Sequence, residues 1–220
     1  MRRHATFAAI ALVMATTALH AGRGISDVTL TVRLYNSAQV PVPAIVSARE
    51  TAGAILADGG LRVVIQRCGT GFNADPCSNP LKANDVVVRL IDAPTVETRL
   101  HPDAFGFTYV VADTDRGWLA TVFADRIGRA ATRVGVAPGT LLGRAMAHEI
   151  GHLLLGRGYH GRTGLMRAEW GDESLTREGQ WRFSNAESAR MQGALVATET
   201  KLLRGPSDKL VSFGSVDASR

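Results

Sequence analysis

Two histidines and a glutamate form a compact pattern in the second half of the chain. His148, Glu149 and His152 match H-E-x-x-H, and His160 follows shortly afterwards. Residues four apart on a helix lie on one face, so the imidazoles of His148 and His152 can bind one metal ion. The carboxylate of Glu149 lies in the adjacent sector, where it can act as general base toward a zinc-activated water. The pattern indicates a hydrolytic zinc site.

A catalytic zinc has three protein ligands and one open position. His160 is the expected third ligand, because Gly156 and Gly158 allow the chain to leave the helix and turn back toward the metal. Three acidic residues farther along are alternatives for the same position, namely Glu169, Asp172 and Glu173. A histidine and an acid at this position would define different classes of zinc enzyme.

The segment from His148 to His160, with the following Gly164-Leu165-Met166, resembles the metzincin metallopeptidases. In the pattern H-E-x-x-H-x-x-G-x-x-H, the glycine and the third histidine come slightly earlier than they do in this sequence. The resemblance implies that Met166 belongs to a Met-turn below the zinc, where its thioether packs and does not bind the metal. It also implies a fold in which a strand, a helix and further strands precede the active-site helix.

The elements that must position this site are visible in the hydrophobic pattern. Helical spacing predicts a helix over 44–56, between the first two strands. Short apolar or alternating runs predict strands over 26–35, 61–66, 85–91, 105–112 and 119–125. A strand, a helix and a strand in that order imply a parallel pair. The last two strands are predicted to form a hairpin at the sheet edge, and the resemblance implies that one of them binds extended substrate.

The zinc motif itself lies on a predicted long helix over 141–155. Thr140 is its expected N-cap, and Gly156 follows its last turn. Ser184 and Glu187 form a capping box that opens a last helix, predicted to reach about Val196.

Together these elements predict an α+β, metzincin-like fold. It comprises a mixed, mostly parallel twisted sheet with an antiparallel edge strand, a long active-site helix and a C-terminal helix. We expect one domain over 22–205, followed by a polar tail over 206–220.

The N-terminus has the pattern of a secretory signal. Its first residues are positive, and the run from Ala5 to Leu19 is apolar or small before the chain becomes polar. This run is shorter than the about 20 residues of a membrane span. We predict a signal peptide over 1–21, with cleavage after Ala18 as an alternative. We therefore expect a secreted protein, either extracellular or periplasmic, that has no stable membrane anchor after the signal peptide is cleaved.

Cys68 and Cys77 are the only cysteines, and the segment between them is rich in turn formers. In an exported chain such a pair predicts a disulfide, with free thiols or metal ligands as alternatives. The formal net charge of +5 comes with scattered arginines and no run of like charges. This distribution does not indicate nucleic acid as a partner, so the expected partner is a protein or peptide substrate. The oligomeric state stays open.

These features predict a secreted zinc-dependent endopeptidase with Glu149 as general base and Zn²⁺ as cofactor. Two alternatives remain at the level of the sequence. One is a gluzincin-like zinc peptidase with an acidic third ligand. The other is a secreted metal-binding module without turnover.

Overall fold

The computed structural model of the protein describes residues 28–69, 77–93, 104–111, 116–156 and 158–203. The predicted signal peptide over 1–21 and the predicted tail over 206–220 lie outside these residues. Within the described ranges, no helix has both the length and the apolar character needed to span a membrane.

A mixed sheet of five strands forms the centre of the described part of the chain, in the order β2-β1-β3-β5-β4. The strands are β1 (Thr29–Asn36), β2 (Arg62–Cys68), β3 (Asp85–Ile91), β4 (Gly106–Val111) and β5 (Arg116–Phe123). β1 is parallel to both β2 and β3, and β3 is parallel to β5. β4 is antiparallel to β5. The predicted mixed, mostly parallel sheet with an antiparallel edge strand is confirmed.

The sheet order decides which strand of the hairpin is the edge. The sequence allowed either of the runs 105–112 and 119–125 to border the cleft. β5 lies between β3 and β4, so its backbone is paired on both sides. Of these two strands, β4 is the one with an open edge, because it pairs with no second strand among the described residues. The predicted end of β5 was also too late, because a helix begins at Ala124.

That helix, α2 (Ala124–Val134), was not predicted from the sequence. Its buried residues include Ile127, Ala130 and Ala131, whose spacing is helical. The exposed Arg129, Thr132 and Arg133 occupy the opposite face, so the helix is amphipathic and its periodicity is present in the sequence. Gly135 ends the helix with a left-handed backbone at φ 71°. A second missed helix, α4 (Asp172–Thr176), is a single short turn.

The site-bearing helix is α3 (Pro138–Leu155), which packs against α1 (Val42–Asp58). It begins before the predicted N-cap Thr140, because Pro138 has a helical φ already fixed and no N–H to satisfy. Its end agrees with the prediction, since Gly156 follows its last turn with φ 104°.

The C-terminal helix is α5 (Asn185–Leu203). It starts at the predicted capping box but runs past the predicted end at Val196. The added residues include good helix formers such as Glu199 and Lys201, and neither Gly nor Pro occurs between Val196 and Leu203.

Candidate metal centre

Three imidazoles converge at the C-terminal half of α3. His148 and His152 come from the helix and His160 from the loop that follows it. One nitrogen from each ring lies within 4.8 Å of the other two. The Nε2 atoms of His148 and His152 are 3.0 Å apart, as two side chains on successive helical turns can be. The structure therefore brings together the three histidines that the sequence singled out.

Glycines and the C-terminal helix place His160 beside the other two rings. Gly158 has a positive φ of 69°, which turns the chain back after α3. The neighbouring Tyr159 donates its hydroxyl to Oε1 of Glu187, 3.2 Å away. The other carboxylate oxygen of Glu187 accepts the N–H of Ser184 at 2.7 Å, completing the predicted capping box. One buried carboxylate thus joins the start of α5 to the loop that carries His160.

The orientation of His148 is fixed by a backbone group. Its Nδ1 donates to the carbonyl oxygen of Leu165, 2.9 Å away. With the proton on Nδ1, the lone pair of Nε2 faces the other histidines and is available to a metal. This contact could not be predicted from residue types, because any residue supplies a backbone carbonyl.

The protonation of the histidines also suits metal binding. Burial lowers the pKa of His148 to about 4 and that of His152 to about 3. Burial also lowers the pKa of His160. At neutral pH all three rings are neutral, so no proton has to leave before they bind a metal ion.

Glu149 lies beside the histidines, against the edge strand. A Cβ atom on Gly106 would be only 2.8 Å from its Oε1 atom, so the close approach of β4 depends on that glycine. Its Oε2 atom is buried and has no hydrogen-bond partner among the described residues. Burial raises the pKa of this carboxyl to about 8. A buried oxygen without a partner is uncommon, and a water or cation in the cleft would satisfy it.

Met166 packs below the helix. It is fully buried, and a Cβ atom on Gly151 would lie 2.5 Å from its Sδ atom. The glycine inside H-E-x-x-H is therefore needed for this packing.

The acidic alternatives for the third ligand do not join the histidine cluster among the described residues. Asp172 forms a two-point ion pair with Arg133, with contacts of 2.9 and 2.6 Å. Glu173 pairs with Arg177. Glu169 lines the same cleft as the histidines but does not belong to the cluster of possible metal donors among the described residues. Three neutral imidazoles with an open side form the donor set that a catalytic zinc prefers, so the residues present fit Zn²⁺.

The site opens into a cleft of about 1290 Å³. The start of β4 forms one side, and the segment from Arg167 to Gly171 forms another. Within that segment, the ring of Trp170 lies 5.2 Å from that of His148 and 5.9 Å from that of Phe105. The Trp170 ring therefore packs edge-on against His148 and forms part of the cleft wall.

The two cysteines are joined in a disulfide, Cys68 to Cys77, with their Cα atoms 5.6 Å apart. Arg33 donates to the carbonyl oxygen of Cys77 and to the carboxylate of Asp85, and all of these groups are buried. The disulfide is attached to Cys68, the last residue of β2, and β2 is the sheet edge opposite to β4. It therefore belongs to the scaffold and not to the metal centre.

The mixed sheet and the three-histidine cleft together define a candidate metal centre. No protein-family model matches the sequence, and no curated protein matches it. Among solved structures, the chain is similar to a zinc-dependent peptidase from Methanocorpusculum labreanum. The TM-score is 0.49 and the identity 15%, over 73% of this chain and 99% of that one.

Two further structures are similar to a comparable degree. Archaemetzincin from Methanopyrus kandleri has a TM-score of 0.48 and 16% identity, over 80% of this chain and 99% of that one. Metalloproteinase-II from Bacteroides fragilis has a TM-score of 0.45 and 16% identity, over 76% of this chain and 53% of that one. All three TM-scores are below 0.5, so we infer the function from the site itself.

Proposed function

We propose that the protein is a zinc-dependent endopeptidase whose metal is held by His148, His152 and His160. The observation that carries this proposal is the convergence of three neutral imidazoles beside a buried carboxylate, one oxygen of which has no hydrogen-bond partner among the described residues. When bound, zinc supplies Lewis-acid chemistry: it polarises the scissile carbonyl and makes the attacking water more acidic. Met166 is assigned as the apolar floor beneath the ligands.

Glu149 is assigned the proton transfers of the reaction. It accepts the proton of the attacking water and passes it to the leaving amine. Its carboxylate lies at the wall of the cleft, between the histidines and Gly106 of β4. Burial brings its pKa to about 8 in the metal-free protein, and a nearby cation would lower this value again. The group is therefore suited to exchange a proton near neutral pH.

The open edge of β4 is assigned to substrate binding. An extended peptide can add to an unpaired strand edge through main-chain hydrogen bonds. Gly106 on this strand lies against Glu149, so a peptide paired with β4 passes close to the general base. A strand-like peptide that runs along the cleft fits cleavage within a chain, which supports an endopeptidase.

Glu149→Gln tests the mechanism. We expect the variant to bind zinc with unchanged stoichiometry and to lose activity on unstructured protein by at least about 100-fold, because the amide cannot accept the proton. His148→Ala should lose both the metal and the activity. Metal analysis and a chelator-sensitive proteolysis assay measure the two effects. An active Glu149→Gln variant would rule out the assigned role.

The identity of the third ligand has its own test. We expect His160→Ala to lower zinc affinity strongly, whereas Glu169→Ala, in the same cleft, should bind zinc like the wild type. Competition with a chromogenic chelator gives both affinities. The opposite ranking would favour the gluzincin-like site with an acidic ligand.

We further propose that the protein is exported through a signal peptide over 1–21. The disulfide is consistent with an oxidising compartment. N-terminal sequencing of the mature protein from culture medium or periplasm tests this proposal, and recovery only of cytosolic protein that still starts at Met1 would contradict it.

A further inference from the structure

One wall of the cleft is unusually rich in arginine. Arg126, Arg129 and Arg133 line it from α2, where their spacing places them on one helix face. Arg167 lines the cleft from the loop beyond the metal centre. None of these side chains has a role in the proposed proton transfers, and the sequence pattern had not singled them out.

The positive charge of this wall is only partly neutralised. Arg129 pairs with Asp125 at 2.8 Å, and its side chain is 66% exposed. Arg133 pairs with Asp172, and both of these side chains are more than half exposed. Such exposed ion pairs are weak, since water and salt compete for both partners. A carboxylate from a bound molecule can therefore replace or share either partner.

Arg167 has donor capacity that the described protein atoms do not use. Its Nε donates to the carbonyl oxygen of Gly164 at 3.2 Å. Its Nη2 is buried and has no hydrogen-bond partner among the described residues. A buried guanidinium nitrogen without an acceptor is unfavourable, and an anionic side chain in the cleft would relieve this cost by ordering the guanidinium around itself.

Small residues leave room between this wall and the metal centre. Ala130 of α2 and Ala145 of α3 both line the cleft, and neither has a side chain that could fill it. Ala145 lies almost one helical turn before His148, so the space beside it opens next to the imidazoles. A substrate side chain adjacent to the scissile bond can enter there and meet the arginines.

We propose that these arginines select peptides with an aspartate or glutamate close to the scissile bond. The inference rests on the proposed peptidase function and specifies its substrate class. Four arginines and the carboxylates of Glu149 and Glu169 line the described cleft, and Asp125 and Asp172 form exposed ion pairs with two of these arginines. With zinc bound, a substrate carboxylate would therefore meet a net positive charge. A charge-assisted hydrogen bond of this kind corresponds to a preference of about 10- to 100-fold over the neutral amide.

Cleavage mapping tests the preference. The full chain is loaded with zinc and incubated with a pool of proteome-derived peptides, and the new termini are identified by mass spectrometry. We expect Asp and Glu to be enriched about 10-fold or more at one position near the cleaved bond. The enrichment should fall in two variants, the double variant Arg129→Gln/Arg133→Gln and the single variant Arg167→Gln. Arg182→Gln is the control, because this exposed arginine is not among the residues that line the cleft. This variant should keep the acidic enrichment.

A charge reversal provides a stronger variant. Arg129→Glu with Arg133→Glu should shift the preference from acidic to basic residues. The two positions are exposed, so folding should be retained, and circular dichroism checks this. Cleavage with no acidic enrichment, or an enrichment that survives this reversal, would overturn the inference and leave the peptidase function standing.

Binding separates this inference from the function on which it rests. Zinc-loaded Glu149→Gln protein is titrated into two fluorescein-labelled decapeptide pools, randomised except for a central Glu or a central Gln. We expect about 10-fold tighter binding to the Glu pool, read by fluorescence anisotropy. Acid-selective binding without cleavage by the wild type would refute the peptidase and keep the acidic preference. Equal binding to both pools would overturn the acidic preference.

Discussion

At the scale of single residues, the site depends on how Glu149 and the histidines are buried. In the metal-free protein, burial raises the pKa of Glu149 from 4.5 to about 8, so the folded state favours the protonated acid. Burial lowers the pKa of His148 and His152, so the folded state favours the neutral rings. Each of these groups is uncharged where it is buried, and a metal ion would reverse the preference of the carboxyl.

The raised pKa of Glu149 should make the free energy of unfolding of the metal-free protein depend on pH. The stabilising contribution of its protonated form is fully present below about pH 4.5 and is lost as the pH rises toward 8, by at most about 1.4 kcal/mol per pH unit. The Glu149→Gln variant should not lose stability in this way, because its amide does not titrate. Urea denaturation between pH 5 and 8 in a chelator should therefore give a curve that falls more steeply for the wild type than for the variant.

The histidines change stability in the opposite direction, and they do so in both proteins. Their contribution is present above the unfolded pKa of 6.5 and is lost as the pH falls toward about 4 and 3. Because both proteins contain these histidines, the difference in unfolding free energy between the wild type and Glu149→Gln at each pH is free of their effect. Parallel stability curves for the two proteins would contradict a raised pKa for Glu149.

At the scale of elements, the position of the zinc motif depends on the close packing of α1 and α3. A Cβ atom on Gly143 would lie 2.6 Å from the carbonyl oxygen of Ala48, and one on Gly139 would lie 2.7 Å from that of Ala44. Both oxygen atoms belong to the backbone of α1, which cannot move aside as a flexible side chain can. The glycines therefore fix the distance between the two helices.

Gly143→Ala should separate the helices and destabilise the protein by about 1–3 kcal/mol. Gly128→Ala in α2 is the matched control, because no atom lies within 4 Å of the added Cβ. In that helix the alanine should raise stability by about 1 kcal/mol through its better helix propensity. Urea denaturation of the zinc-loaded proteins measures both changes, and a neutral Gly143→Ala variant would argue against the close helix contact.

At the scale of the whole molecule, the sheet separates the scaffold from the chemistry. The disulfide follows β2 at one edge, and the cleft lies against β4 at the other. Between them, buried apolar residues such as Leu30, Val88 and Val122 form the core of the central strands. Changes at the disulfide edge should therefore affect the stability of the fold without altering the metal centre.

Cys68→Ala with Cys77→Ala tests this separation. Loss of the disulfide should lower the free energy of unfolding by about 2–3 kcal/mol, because the unfolded chain gains freedom. Zinc stoichiometry and specific activity at 25 °C should stay at the wild-type level. Reduction of the wild type under native conditions serves as an independent control. Loss of zinc in the double variant would instead indicate that the two sheet edges are coupled.

The sequence alone determined the features that depend on local periodicity. The H-E-x-x-H spacing placed His148 and His152 on one helix face, because an α-helix repeats every 3.6 residues. Alternating and apolar runs located all five described strands, and the intervening helix gave the parallel pairing of β1 and β2. Helix α2 was missed although its apolar and charged residues have helical spacing, because the strand predicted over 119–125 overlapped its first turn.

Only the tertiary structure decided which distant groups meet. It brought His160, and none of the acidic alternatives, to the other two rings, and it placed the Leu165 carbonyl on His148. It also set Gly106 of the edge strand against Glu149. These contacts join segments far apart in the chain, and several use backbone atoms that all residues share. Their geometry follows from packing around the sheet, which no local spacing encodes.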